Sequence, residues 1–195
     1  MTTFAHELES LPVNSMVKIG GTEFTVSAAL TLHELYQQTA SSPWSRRGKV
    51  SRGLVLGSSL FLLRVPAEEG GQYVWLKLSP VKEASNLRAF YKGGDSPGEW
   101  GPARRFAKQE QVGEVLYRLL ETQWQVKDIG KVEVQMDGDS PWFRERDQLY
   151  FVTSQATSQH EWLVYFDARP GEGQGTGGLF RGIPFTPSEL IEEVL

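Results

Sequence analysis

The chain is written in short β-prone runs, and the punctuation between those runs limits the fold more than any other feature. "SMVKI" and "TEFTV" are separated by Gly20-Gly21. Two glycines between such runs signal a two-residue hairpin, because they enter the left-handed backbone region without a Cβ clash. "GLVLGSSLFLLRVPAEEGGQYVWLKLSP" reads as strand, strand, loop from Pro66 to Gly71, strand. Its last run alternates Tyr73, Trp75 and Lys77 against Val74, Leu76 and Leu78. "QLYFVTSQATSQHEWLVYFDAR" reads as a further hairpin with a polar middle. Phe24, Val26, Ala28 and Leu30 share one parity and are expected to share one face.

Helical signals are few and peripheral. Phe4, Leu8 and Leu11 fall on one face of a short helix over residues 2–11, and Pro12 stops it. Residues 38–53 are polar. "KGGDSPGEWGP" lacks apolar periodicity, so 81–102 is expected to be a linker or loop. Beyond it, Val112, Val115, Leu116, Leu119 and Leu120 have helical spacing, whereas Leu120, Thr122, Trp124 and Val126 share a strand parity. The expectation is a short helix near 103–111 and strands over about 115–135. The tail "FTPSELIEEVL" predicts a capped helix nearly three turns long, with Thr186 as N-cap, Pro187 at the first position and Glu189 closing a capping box. Residues 170–178, with Gly or Pro at six of nine positions, predict a mobile loop.

The fold class expected is mainly β (α+β): two small barrel- or sandwich-like β units, 1–80 and 103–195, with short peripheral helices. A chain of 195 residues allows one large domain or two small ones, and buries a core without staples. "SPWSRR" at Ser42 and "SPWFRE" at Ser140, 98 positions apart, suggest a diverged tandem repeat; coincidence is an equal alternative. Proline marks a strand entrance, and the following Trp44 or Trp142 reads as a plug closing a β core in preference to a ligand platform. Arg46 and Arg144, two positions on, are expected near the rings.

The stretch "VEVQMDGDSPWFRERDQLYFVTSQATSQHEWLVYFDA" with "GIPFTPSELIEEVL" resembles the bacterial family called domain of unknown function 4178. The resemblance rests on Gly138, Pro141, Trp142, Trp162 and Gly182. It implies bacterial origin, an accessory role of the kind associated with envelope-stress genes, and no established catalytic residues.

Composition removes several activities. Without cysteine there is no disulfide, thiolate nucleophile or Cys-based metal site. A net charge of −4 disfavours a general nucleic-acid binder. The opening residues carry no signal-peptide pattern and no apolar run approaches membrane-spanning length, so a cytoplasmic location without a membrane span is expected. "GQGTGG" matches G-x-G-x-x-G, but "FRGIP" follows where the dinucleotide fingerprint needs a helix, so a flexible loop is the better reading. His6, His33 and His160 are isolated, no G-x-S-x-G elbow occurs, and no cofactor or metal is expected. Glu161, Asp167 and Arg169 share a parity that reads as a solvated face or a polar ligand face. Trp44 with Arg46, Arg47, Lys49 and Arg52, and Phe106 with Arg104, Arg105 and Lys108, pair aromatics with cations as single-strand nucleic-acid binders do. The leading expectation is a non-catalytic interaction or assembly protein whose partner is another protein. A single-stranded nucleic-acid module comes second and an enzyme with an unrecognised polar site third. Trp44, Arg46, Arg47, Trp142, Arg144, Glu161, Asp167 and Arg169 are the candidate interaction residues.

Overall fold

The computed structural model describes residues 3–66, 72–82, 86–91, 101–102, 115–156, 160–167 and 177–194. Helix α1 (Thr3–Ser10) leads into the hairpin β1 (Met16–Ile19) and β2 (Thr22–Tyr36), then β3 (Ser45–Leu56), β4 (Leu60–Pro66) and β5 (Tyr73–Pro80). β6 (Arg88–Tyr91) and β7 (Gly101–Pro102) precede a second hairpin, β8 (Val115–Leu119) and β9 (Thr122–Gly138). β10 (Gln148–Ala156), β11 (Trp162–Asp167), β12 (Gly177–Phe185), the single turn α2 (Pro187–Leu190) and β13 (Ile191–Val194) complete the chain.

Eight strands close an antiparallel barrel in the order β2-β3-β4-β5-β12-β11-β10-β9, with β9 returning to β2 from Ala28↔Gly138 to Leu35↔Lys131. The mainly β class is as expected. The segments 1–80 and 103–195 each lend four strands to this one barrel. Closure leaves the eight barrel strands without a free edge.

Hydrogen-bond register relates the two hairpins. β1 meets β2 from Met16↔Thr25 to Ile19↔Thr22, and β8 meets β9 from Leu116↔Gln125 to Leu119↔Thr122, the same pairing 100 residues on. Both long strands then skip one residue against their next neighbour: Ser27 in β2 and Lys127 in β9. Such a bulge reverses the alternation of faces. Val26 therefore packs outside the barrel while Ala28, Leu30 and Leu32 point in; Val126 and Ile129 pack outside while Val132 and Val134 point in. This corrects the single face expected for Phe24 to Leu30: an inserted residue, invisible in a polarity pattern, divides it.

Three clusters result. The barrel interior is filled by side chains from all eight strands, including Leu30, Val55, Phe61, Leu76, Val134, Leu149, Val164 and Phe180. Outside it, Leu8 of α1 and Leu11 just after it join Val17 and Ile19 over Leu54, Leu62 and Trp75. On the other flank, Tyr117 and Leu119 of β8 and Ala89 of β6 cover Trp124, Val152, Leu163 and Leu179. Each segment, after its fourth barrel strand, crosses to the other segment's hairpin. β6 pairs with β8 (Arg88↔Arg118 to Tyr91↔Val115), and β13 pairs with β1 (Val17↔Val194, Ile19↔Ile191).

The tail corrects the expectation of a long capped helix. The Glu189 N–H donates to the Thr186 carbonyl at 2.9 Å, closing one turn, and Ile191–Val194 then forms a strand. A helix under three turns is marginal alone, whereas Ile191 and Val194 are β-branched and β1 offers an open edge. β3 also begins earlier than its polar sequence implies, at Ser45. Gly177 and Gly178 are strand residues opposite Asp167 and Phe166, not loop. The helix expected at 103–111, most of the 81–102 linker and residues 170–176 lie outside the described residues.

Candidate functional site

The two SPW elements take different places. Ser140 Oγ accepts the N–H groups of Trp142 (3.1 Å) and Phe143 (3.2 Å), a local turn that sends both rings toward the barrel. Phe143 enters the core, 5.3 Å from both Phe61 and Phe166, and Trp142 lies half-buried over it, 5.1 Å from Phe180. Trp142 packs on the barrel core as a plug would, but half-buried and in a turn, not at a strand entrance. Trp44 does not: it lies half-buried on the outer face, with Lys131 Nζ 4.4 Å from its ring centroid. The fourth residue explains the divergence. Phe143 needs burial and pulls its turn inward, whereas Ser45 needs none and starts a strand.

Nor does Arg46 take the cation position at Trp44. Its Nε donates to Glu133 Oε1 at 2.8 Å, while Lys131, itself only 8% exposed, lies between Trp44 and Tyr150 (5.2 Å). Arg47 packs over Tyr36 at 5.3 Å with Glu34 3.9 Å away. Two of the cations that suggested a nucleic-acid surface, Arg46 and Arg47, are therefore engaged by carboxylates and a ring of the same chain, and Arg52 donates to the Thr31 hydroxyl. Arg144 is exposed, its N–H donating to Asp147 Oδ2 at 3.1 Å. Arg104, Arg105 and Arg169 lie outside the described residues.

Glu161 and Asp167 share a parity but stand about 20 Å apart along the strand at 3.3 Å per residue, and each has its own partner. Tyr165 O–H donates to Asp167 Oδ2 at 3.2 Å. Burial, reinforced by the Asp167 charge and this hydrogen bond, pushes the Tyr165 phenol up to about 12. Burial also raises the Asp167 carboxyl, against the opposing pull of the Tyr165 hydrogen bond.

Glu161 lines an open groove on the outside of the barrel. This groove of about 490 Å³ runs between the end of β5 (Ser79, Pro80, with Val81 and Lys82), the β8–β9 turn (Leu119, Leu120), Glu161, and Arg181 and Gly182 of β12. Glu161 is 8% exposed, and both its oxygens accept from Arg181: Oε2 from Nη2 at 3.2 Å, Oε1 from Nε. This fork-on-fork pairing orients the guanidinium, whose other side lies 5.7 Å from the Trp124 ring. Gly182 lets β5 and β12 approach: a Cβ there would stand 1.8 Å from the Lys77 carbonyl oxygen.

Leu120 forms the rim. It has φ 53° and is 71% exposed, whereas the corresponding residue of the first hairpin is Gly20, φ 55°. A left-handed leucine in water is both strained and poorly solvated. Sequence reasoning missed Leu120 and Arg181. Aligning the hairpins by register exposes the first; the outward parity of Leu179, Arg181 and Ile183 around buried Phe180 points to the second.

The barrel interior has a much smaller cavity among the described residues. Its cavity, lined by residues such as Leu32, Val65, Val132 and Phe166 beside Glu34 and Asp128, measures about 50 Å³, room for a water or two but far below a small-molecule site. No group of three or more metal-ligating side chains occurs among the described residues, and no helix among them is long and apolar enough to cross a membrane. No protein-family model, curated protein or solved structure matches the chain.

Proposed function

We propose that this is a non-catalytic binding module whose partner is another protein, engaged through the groove bounded by Leu120, Arg181 and Lys82. Leu120 carries the reading. At the matching turn glycine meets the same backbone demand, so the exposed leucine costs the fold strain and gains it little burial. A residue of this kind is accounted for by contact with something outside the chain. The side-chain-filled barrel is consistent with a scaffold, leaving recognition to the outer surface. Within the groove both Glu161 oxygens are held by Arg181, so the carboxylate serves orientation and not proton transfer. The accessory role implied by the family resemblance is of the same kind.

We also propose that the barrel arose by tandem duplication. What supports this is the hairpin register, the bulges at Ser27 and Lys127, and the inward and outward side chains, which recur at an offset of 100. SPW recurs at 98 and contributes little.

The test is site-specific photo-crosslinking in host cells, with a benzophenone side chain at position 120 and, as internal control, at position 20. A discrete adduct from position 120 that is absent from position 20 is expected. Matching patterns from both positions, or none, refute the reading.

A further inference from the structure

We infer that the groove takes an extended peptide segment in which carboxylates alternate with apolar side chains; this rests on the binding-module reading above. The chain as a whole is acidic, yet among the described residues the groove and its border set three cations, Lys77, Lys82 and Arg181, against two carboxylates, Glu161 and Glu121. Lys82 lines it, Lys77 lies on the outward face of β5 beside it, and Arg181 forms its floor. Neither lysine has an ion-pair partner among the described residues. Arg181 spends Nε and one Nη2 proton on Glu161 and keeps its Nη1 donors, on a side chain 40% exposed. Glu161 thus holds the guanidinium in place before any ligand arrives, which lowers the entropic cost of binding.

The apolar half of the recognition lies beside this charge. Leu120 is 71% and Ile183 54% exposed, flanking Arg181 from the hairpin and from the same strand. Glu121 adjoins Leu120 at the turn. The segment's carboxylates therefore face β5 and Arg181, and its apolar side chains face the hairpin. The pseudo-equivalent turn has Gly20 and Gly21 in place of Leu120 and Glu121, so the leucine rim is not repeated at the first hairpin.

The probe is a fluorescein-labelled hexapeptide of alternating aspartate and leucine, followed by anisotropy against the full-length protein. Saturable binding that weakens with salt is expected. Lys77→Glu/Lys82→Glu should weaken it at least tenfold, and Leu120→Gly about fivefold with no loss of thermal stability. A lysine–leucine hexapeptide should not bind. Binding indifferent to the lysine reversals, equal binding of the basic peptide, or equal competition by oligothymidylate overturns the inference. A position-120 adduct on a partner segment without carboxylates overturns it too, while leaving the binding-module reading in place; loss of that adduct altogether removes both.

Discussion

Replacing each SPW tryptophan by alanine separates a core plug from a surface stack. Trp142 packs its edge on Phe180 at 5.1 Å and lies 6.3 Å from Phe61, over the buried Phe143. Full burial would make truncation cost about 3–5 kcal/mol. Trp142 is half-buried, and discounting for that leaves roughly 2–3 kcal/mol. Trp44 is half-buried too, but on the outer surface and away from the core aromatics, so its loss removes chiefly a cation–π interaction with Lys131 worth about 1 kcal/mol. For a chain of this length each kcal/mol shifts the melting temperature by about 2–4 °C. Trp142→Ala should therefore lower it by roughly 4–12 °C and Trp44→Ala by about 2–4 °C. Far-UV circular dichroism is the suitable readout, since both changes alter tryptophan fluorescence directly. Equal losses would refute the assignment of one ring to the barrel core and the other to the surface.

Four further outcomes follow from the geometry. Gly182→Ala places a methyl against the Lys77 carbonyl and must part β5 from β12, so chemical denaturation should register a loss of about 3 kcal/mol or more. Glu161→Ala strands Arg181, whereas Glu161→Ala/Arg181→Ala removes both charges; the double variant should be the more stable of the two in the same assay. Tyr165, raised to about 12 from an ordinary 10, holds its proton more tightly in the folded state. Its stabilising contribution is complete below pH 10 and declines between pH 10 and 12, and tyrosinate absorbance should follow that loss. Asp167→Asn should bring the Tyr165 titration down only partway, because burial is the larger cause.

Much of the local structure was legible. Gly20-Gly21 marked its hairpin, the β4–β5 and β10–β11 runs were visible as hairpins, and Pro12 closed α1. What polarity cannot carry is register. The bulges at Ser27 and Lys127 add one residue to strands that otherwise look continuous, and they decide which side chains enter the barrel. The second hairpin stayed ambiguous because Leu120 and Glu121 stand where the first hairpin has Gly20-Gly21, so no turn signal interrupts the helical spacing of Val115, Leu116, Leu119 and Leu120. At the tail, capping signals were read correctly for one turn, but the strand that follows depends on the distant β1 edge. The groove was half legible: Glu161 stood out as a polar strand residue, while Arg181 and Leu120 acquire meaning only when three remote segments meet.

The pairing of β13 with β1 also sets a clock for biosynthesis. Ile191–Val194 leaves the ribosome 175 residues after Ile19, the end of the strand it completes. At about 5–20 residues per second that interval lasts roughly 9–35 s. Throughout it one side of β1 lacks its final neighbour, and β2 waits through most of it for β9. A nascent chain with two unfinished edges is a natural client for a ribosome-associated chaperone. Slowing translation between β2 and β9 should lengthen that dependence, whereas slowing it before β1 should not.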